Sequence, residues 1–177
     1  MVIRLMHHAP ELLAGAVIVS ATQPVSDNFI ESDAVPVPIP VALIHGTRDR
    51  LVPYGGGMAS LWGFRPRGLG HSAPETAAYF SRRNGITVQP VTTTLPHDPR
   101  SHKTSVNRTE YRQDGHPPVV LCSVNGGGHV VPNPRPFPKI MGRTTHDIDI
   151  ATVVGEISGL EVTNSAIFPK STDPKCA

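Results

Sequence analysis

The chain has 177 residues, enough for one domain with a real core, and its 38% hydrophobic and 17% charged residues suit a globular protein. Its formal net charge is +2 and the basic residues are scattered, which excludes an electrostatic footprint for nucleic acid. No apolar run approaches membrane-spanning length, and the first residues lack the charged-then-apolar pattern of a signal peptide.

Nineteen prolines and sixteen glycines point to long ordered loops, although such a composition also fits partial disorder. The two cysteines, Cys122 inside an apolar run and Cys176 next to last, imply no disulfide framework and leave the redox compartment open.

Residues 1–9 read as a helix, with Val2, Leu5 and Met6 at helical spacing, Met1 on the same stripe and Pro10 as the stop. No capping residue precedes them, so the chain reads as starting inside an element. Residues 16–20 (AVIVS) follow Gly15 as a buried-strand candidate. Residues 21–40 read as loop, with Pro36, Pro38 and Pro40 extended and excluded from a sheet interior. A second strand, residues 41–45, runs into a glycine turn that carries Asp49. A short apolar strand ending in such a turn presents a side chain at its C-terminal edge, where open α/β sheets keep their chemistry.

Residues 50–70 read as irregular and glycine-rich. Ser72 to Glu75 has the spacing of a capping box with Pro74 early in the helix; Ala73, Ala77 and Phe80 mark one face and Gly85 the stop. Residues 86–93 form a short strand candidate interrupted by Pro90, and 95–103 a polar loop. Residues 104–112 alternate loosely, as a strand pairing at a sheet edge would. Residues 118–124 (PVVLCSV) are the third strong strand and lead into Asn125, three glycines and His129. After a proline-rich loop over 130–141, Thr144 or Thr145 is expected to cap a last helix with Ile150, Val153, Val154 and Ile157 on one face and Gly159 at its end. The tail from 160 is weakly patterned. Strand–helix alternation with continuous apolar strands predicts an α/β class with a parallel sheet flanked by helices, one domain over 1–159 and a loosely structured tail over 160–177.

Two strand ends therefore carry ionisable groups in glycine turns, Asp49 and His129. Taken alone, Asp49 reads equally as a turn residue and His129 as a loop residue bonded to backbone. As neighbours on parallel strands they would form the orienter-and-base pair of nucleophilic catalysis, the carboxylate fixing the imidazole's tautomer. Tyr54 and Trp62 are candidates to line a substrate cleft beside Asp49, with ordinary loop packing as the alternative. Ser72 reads as a helix cap. Ser20 lacks the flanking glycines of a strained nucleophile turn, and Cys122 reads as a small core hydrophobe. His7, His8, His97, His102 and His116 lack metal-ligand spacing, and His45 is read as ordering its own loop. The Asn107-Arg-Thr109 sequon is a pattern only.

HGTRDRLVPYGGG (45–57), SAPETAAYFSRRNG (72–85), PVVLCSVNGGGH (118–129) and GRTTHDIDIA (142–151) together resemble the C-terminal half of polyhydroxybutyrate depolymerase-like esterases, relatives of feruloyl and acetylxylan esterases. The resemblance covers about residues 1–158 and implies the C-terminal, incomplete portion of an α/β-hydrolase fold, whose triad runs Ser…Asp…His along the chain. It implies Asp49 as triad acid, His129 as base, no metal or organic cofactor, and an ester substrate: a hydroxyalkanoate oligomer or polymer first, an aryl or sugar ester second. A secreted enzyme is implied too. The opening, MVIRLMHHAPELLAGAVIVSA, resembles the helix and strand that follow the nucleophile in that family. The expectation is therefore a serine-type ester hydrolase whose Asp and His are here and whose serine lies in a missing N-terminal segment. The alternative is a non-catalytic fragment or pseudo-enzyme acting as a binding module. The strand at 16–20 would then lie at an exposed apolar edge, an aggregation liability.

Overall fold

The computed structural model describes residues 2–30, 32–61, 64–132 and 139–159. Met1 and the expected tail over 160–177 lie outside the described residues. In chain order the elements are α1 (Val2–His8), β1 (Ala16–Val19), β2 (Val41–Gly46), β3 (Gly57–Leu61), β4 (Phe64–Gly70), α2 (Ala73–Arg83), β5 (Val91–Thr94), β6 (Ser105–Tyr111), β7 (Val119–Asn125) and α3 (Ile150–Ile157). Short 3₁₀ turns at Pro10–Leu12, Ser26–Asn28, Pro99–Ser101 and Lys139–Met141 punctuate the loops.

Five strands form one sheet in the order β1-β2-β7-β6-β5. β1, β2 and β7 are parallel, with Ala16 opposite Val41 and Val41 opposite Val119, whereas β6 and β5 run antiparallel. The sheet is thus mixed, where strand–helix alternation predicted a parallel one. No α-helix separates β5, β6 and β7, so the chain returns without a crossover helix, and such returns produce antiparallel pairs. Nor does residue 105–111 form the edge. β5 covers its outer side, with Thr92 Oγ1 and Thr109 Oγ1 2.9 Å apart across the pair, and β5, exposed along its length, takes the edge position. At the opposite margin of the described sheet β1 pairs with β2 alone.

β2 is buried at every position, as a central parallel strand covered on both faces must be. Its pleat splits the core in two. Val41 and Leu43 pack with Ile18, Leu121, α1 (Ile3, Met6) and α2 (Ala73, Ala77, Phe80); Ala42 and Ile44 pack with Val106, Val120, Cys122 and α3 (Val153, Ile157). Helices on both faces of the sheet make a three-layer α/β arrangement.

α2 begins as its sequence predicts. Ser72 Oγ accepts from the Glu75 backbone N–H, and the Glu75 carboxylate accepts from the Ser72 backbone N–H, closing the capping box. Asn84 and Gly85 (φ +76°) end it. α3 starts later than expected: Asp149, not Thr144 or Thr145, is the cap, its carboxylate accepting from the Thr152 N–H at 3.0 Å. Thr145 is buried elsewhere, its hydroxyl 3.2 Å from that of Ser101. With the helix so short, Val153 and Ile157 alone of the expected stripe are fully buried, Ile150 packs at the margin, and Val154 is 37% exposed. Arg108 on β6 reaches Glu156 at 2.6 Å and ties α3 to the sheet.

The segment read as irregular, 50–70, holds the antiparallel hairpin β3–β4. Its register slips twice and Arg65 takes φ +55°, so no clean two-residue alternation marks it in the sequence.

Phe80 is 1% exposed and Val154 37%. Phe80→Ala should lower unfolding free energy by about 3–5 kcal/mol, whereas Val154→Ala should stay within about 1 kcal/mol, both read by urea denaturation.

Candidate functional site

The parallel register aligns the C-terminal ends of β2 and β7, Gly46 lying opposite Val124. The turns beyond these ends interlock through their backbones. Thr47 N–H donates to Val124 O (2.9 Å), Arg48 N–H to Gly127 O (2.8 Å), and Gly126 N–H to Thr47 Oγ1 (3.0 Å). Such close approach requires glycine: a Cβ at Gly46 would collide with the carbonyls of Gly127 and Gly128, and one at Gly128 with Met141 O and Gly142.

This lock brings the two expected site residues together. Asp49 Oδ2 accepts from His129 Nδ1 at 2.8 Å, and the Asp49 side chain is wholly buried while the imidazole is 30% exposed. Asp49 Oδ1 accepts from the backbone N–H groups of Leu51 (2.8 Å) and Val52 (2.9 Å), so the carboxylate is fixed from two sides. With Nδ1 donating to a carboxylate, the neutral His129 ring keeps its lone pair on Nε2, the atom a general base uses. A buried carboxylate bonded in this way fixes the ring's orientation and tautomer.

His45, expected only to order its loop, also touches this pair. Its ring is 1% exposed, and Nε2 donates to Val52 O at 2.9 Å with Asp49 Oδ2 3.5 Å away. A carbonyl can only accept, so the proton sits on Nε2 and the ring braces the turn that holds Asp49. Burial pushes the His45 pKa down; the Val52 carbonyl and the Asp49 carboxylate oppose this, and the backbone of Ala21, which makes no well-formed bond to the ring, opposes it least. Among the described residues Nδ1 has no hydrogen-bond partner, and neither does the buried Ser20 Oγ. Ser20 directly follows β1, and its N–H donates at 2.9 Å to the carbonyl of Ile44, the residue before His45. Ser20 has φ +50°, so this serine does occupy a left-handed turn without flanking glycines, but its hydroxyl is enclosed.

Tyr54 packs edge-on against His45 (centroids 5.8 Å apart), and its hydroxyl is 2.6 Å from Ser123 Oγ, the residue opposite His45 on β7. Its polar end is therefore occupied within the protein. Trp62 lies outside the described residues. Ser72 is bound up in its capping box, and burial pushes the Cys122 thiol up to about 11. Asn107 lies in β6 and accepts from Thr94 Oγ1 at 3.1 Å. His116 Nδ1 bonds Asn84 O at 2.7 Å, and His97 faces Asp147 at 3.4 Å. Among the described residues no three His, Cys, Asp or Glu side chains converge as metal ligands.

His129 opens onto a cleft of about 750 Å³, lined also by Leu51, Ile140 and Met141 and by Arg48, Arg50 and Arg143. The sequence reading singled out none of these arginines. Arg143 is 14 residues past His129 and reaches it only because Gly128 N–H donates to Arg143 O at 3.0 Å.

Comparison of the chain with protein-family models, with curated proteins and with solved structures found no match.

Gly46→Ala should push the two turns apart. The low-field His129 Nδ1 proton should disappear from the NMR spectrum, and stability should fall by about 2–4 kcal/mol in denaturant titrations. The pH dependence follows from His45. Its native ring resists a proton that the unfolded ring, with a pKa of 6.5, accepts. The unfolded chain therefore binds more protons below that pH, so stability is complete above about pH 6.5 and declines as the pH falls through it. His7, also lowered by burial, acts in the same sense. His45→Gln should flatten part of that decline in the melting temperature measured between pH 8 and 5.

Proposed function

We propose that Asp49 and His129 are the acid and base of a serine-type carboxylic ester hydrolase with an α/β-hydrolase fold, of which these residues form the C-terminal part. The observation that carries this reading is the 2.8 Å bond between a fully buried carboxylate and a partly exposed imidazole at the ends of adjacent parallel strands. The order acid-then-base along the chain, the mixed sheet with helices on both faces and the resemblance to polyhydroxybutyrate depolymerase-like esterases support it.

Among the described residues His129 has no serine hydroxyl as a partner. In this proposal the nucleophile comes from sequence on the N-terminal side, docking along the open edge of β1. The serine hydroxyl attacks the ester carbonyl as His129 Nε2 takes its proton. Collapse of the tetrahedral adduct expels the alcohol, which leaves with that proton, and water repeats the cycle on the acyl-enzyme. Asp49 holds the ring and offsets the charge it gains. The substrate class is a carboxylic ester, with hydroxyalkanoate oligomers first.

The same lack of a serine beside His129 favours a second reading, a binding module that keeps the fold without the chemistry. Hydrolysis of p-nitrophenyl acetate separates the two. The 177-residue chain should show little turnover. A form extended at its N-terminus through a G-x-S-x-G segment should hydrolyse the ester, and His129→Ala should lower its kcat by about 10³-fold or more. Turnover that survives His129→Ala would sink the acid–base assignment. An inactive extended form with an intact fold would favour the binding module.

A further inference from the structure

Three cationic side chains surround the cleft onto which His129 opens, and the backbone fixes each beside the Asp49–His129 pair. Arg48 N–H is bonded to Gly127 O, Arg143 O accepts from Gly128 N–H, and Arg50 directly follows Asp49. Gly127 and Arg143 also pair as a parallel bridge. These contacts belong to the same glycine lock that seats His129, so the backbones of Arg48 and Arg143 are placed together with it.

None of the three guanidinium groups has an ion-pair or hydrogen-bond partner among the described residues. Arg100, Arg108 and Arg112, by contrast, all face carboxylates. Among the described residues no Asp or Glu lines the cleft, and the Asp49 carboxylate bonded to His129 is buried and engaged. An adjoining cleft shares Arg48 and Arg143 and adds Lys103, again without an acid. Arginines that line one cavity without an acid beside them favour an oxyanion there, which can accept paired hydrogen bonds from the planar guanidinium fork. Apolar walls from Leu51, Ile140 and Met141 offer a short carbon chain a place between the cations and the imidazole.

We propose that this cleft is a carboxylate-binding subsite and that the preferred substrates are anionic esters carrying a free carboxylate a few bonds from the ester, such as half-esters of short dicarboxylic acids. The inference rests on the ester-hydrolase reading for the identity of the reacting group, whereas the anion preference rests on the arginines. Being exposed, the arginines select by charge at modest affinity, and binding weakens as salt is added.

The test is NMR titration of the 177-residue chain with monomethyl succinate, with neutral dimethyl succinate of the same length, and with inorganic phosphate. The Arg Nε–Hε signals, His129 Hε1 and the low-field His129 Nδ1 proton are followed together. Monomethyl succinate should shift the Arg48, Arg50 and Arg143 signals and His129 Hε1, and bind about tenfold or more tighter than the diester. Arg48→Gln and Arg143→Gln should each weaken it by about three- to tenfold. Arg4→Gln, on α1 and lining a separate cleft against β1, should not.

Equal binding of the two esters, or binding indifferent to the arginine substitutions, would overturn the subsite. Phosphate binding more tightly at the same arginines would overturn the carboxylate assignment. The Nδ1 proton keeps the two proposals apart. If it reports the bond to Asp49 while the esters are not distinguished, the subsite alone fails. If arginine-dependent binding of the half-ester occurs with no such bond, the acid–base reading fails and the anion site stands.

Discussion

Three backbone segments touch at their glycines, and the site depends on that contact. Gly46 lies against the carbonyls of Gly127 and Gly128, and Gly128 against Met141 and Gly142. A side chain at Gly46 would have to displace the Gly127 and Gly128 carbonyls, the first of them bonded to the Arg48 N–H, and one at Gly128 the Met141 carbonyl. The stack therefore does two things at once. It draws the loop after β2 and the loop after β7 close enough for a 2.8 Å bond between Asp49 and His129, and it brings the distant 141–143 segment, with Arg143, to the mouth of the same cleft.

The lock works because the sheet beneath it is rigid. β2 is enclosed by strands on both sides and by helices on both faces, so the direction in which it delivers Gly46 cannot vary without disturbing two cores. The face that holds α1 and α2 ends, at its upper row, in Ser20, His45 and Ser123, and Tyr54 closes over the last two. This polar row separates the apolar core from the Asp49 turn. His45 is its functional member, since one ring proton bonded to Val52 O fixes the turn whose N–H groups hold the Asp49 carboxylate.

Much of this was legible in the sequence for a local reason. The three buried strands are unbroken apolar runs, the α2 capping box is complete within four residues, and the acid and the histidine each follow an apolar run and a glycine turn. The rest depended on distant partners. β3 and β4 are exposed and bulged, so no alternation marked them. Thr145 looked like a cap until Ser101 and Asp147 were seen to engage that segment, leaving the role to Asp149. Residues 104–112 carry the loose alternation of a strand at a sheet edge, and the pairing of β5 with the far side of β6 is not written in either segment alone.

Periodicity, caps and glycine turns are short-range properties, and by themselves they determined where the three parallel strands β1, β2 and β7 lie, where α2 begins, and that Asp49 and His129 stand just beyond strand ends. Only the tertiary structure decided that the sheet is mixed, that His45 braces the Asp49 turn, and that Arg48, Arg50 and Arg143 share one cleft with His129. These are relations between segments as much as 95 residues apart (48 to 143), fixed by hydrogen bonds and close backbone packing that no single window of sequence contains.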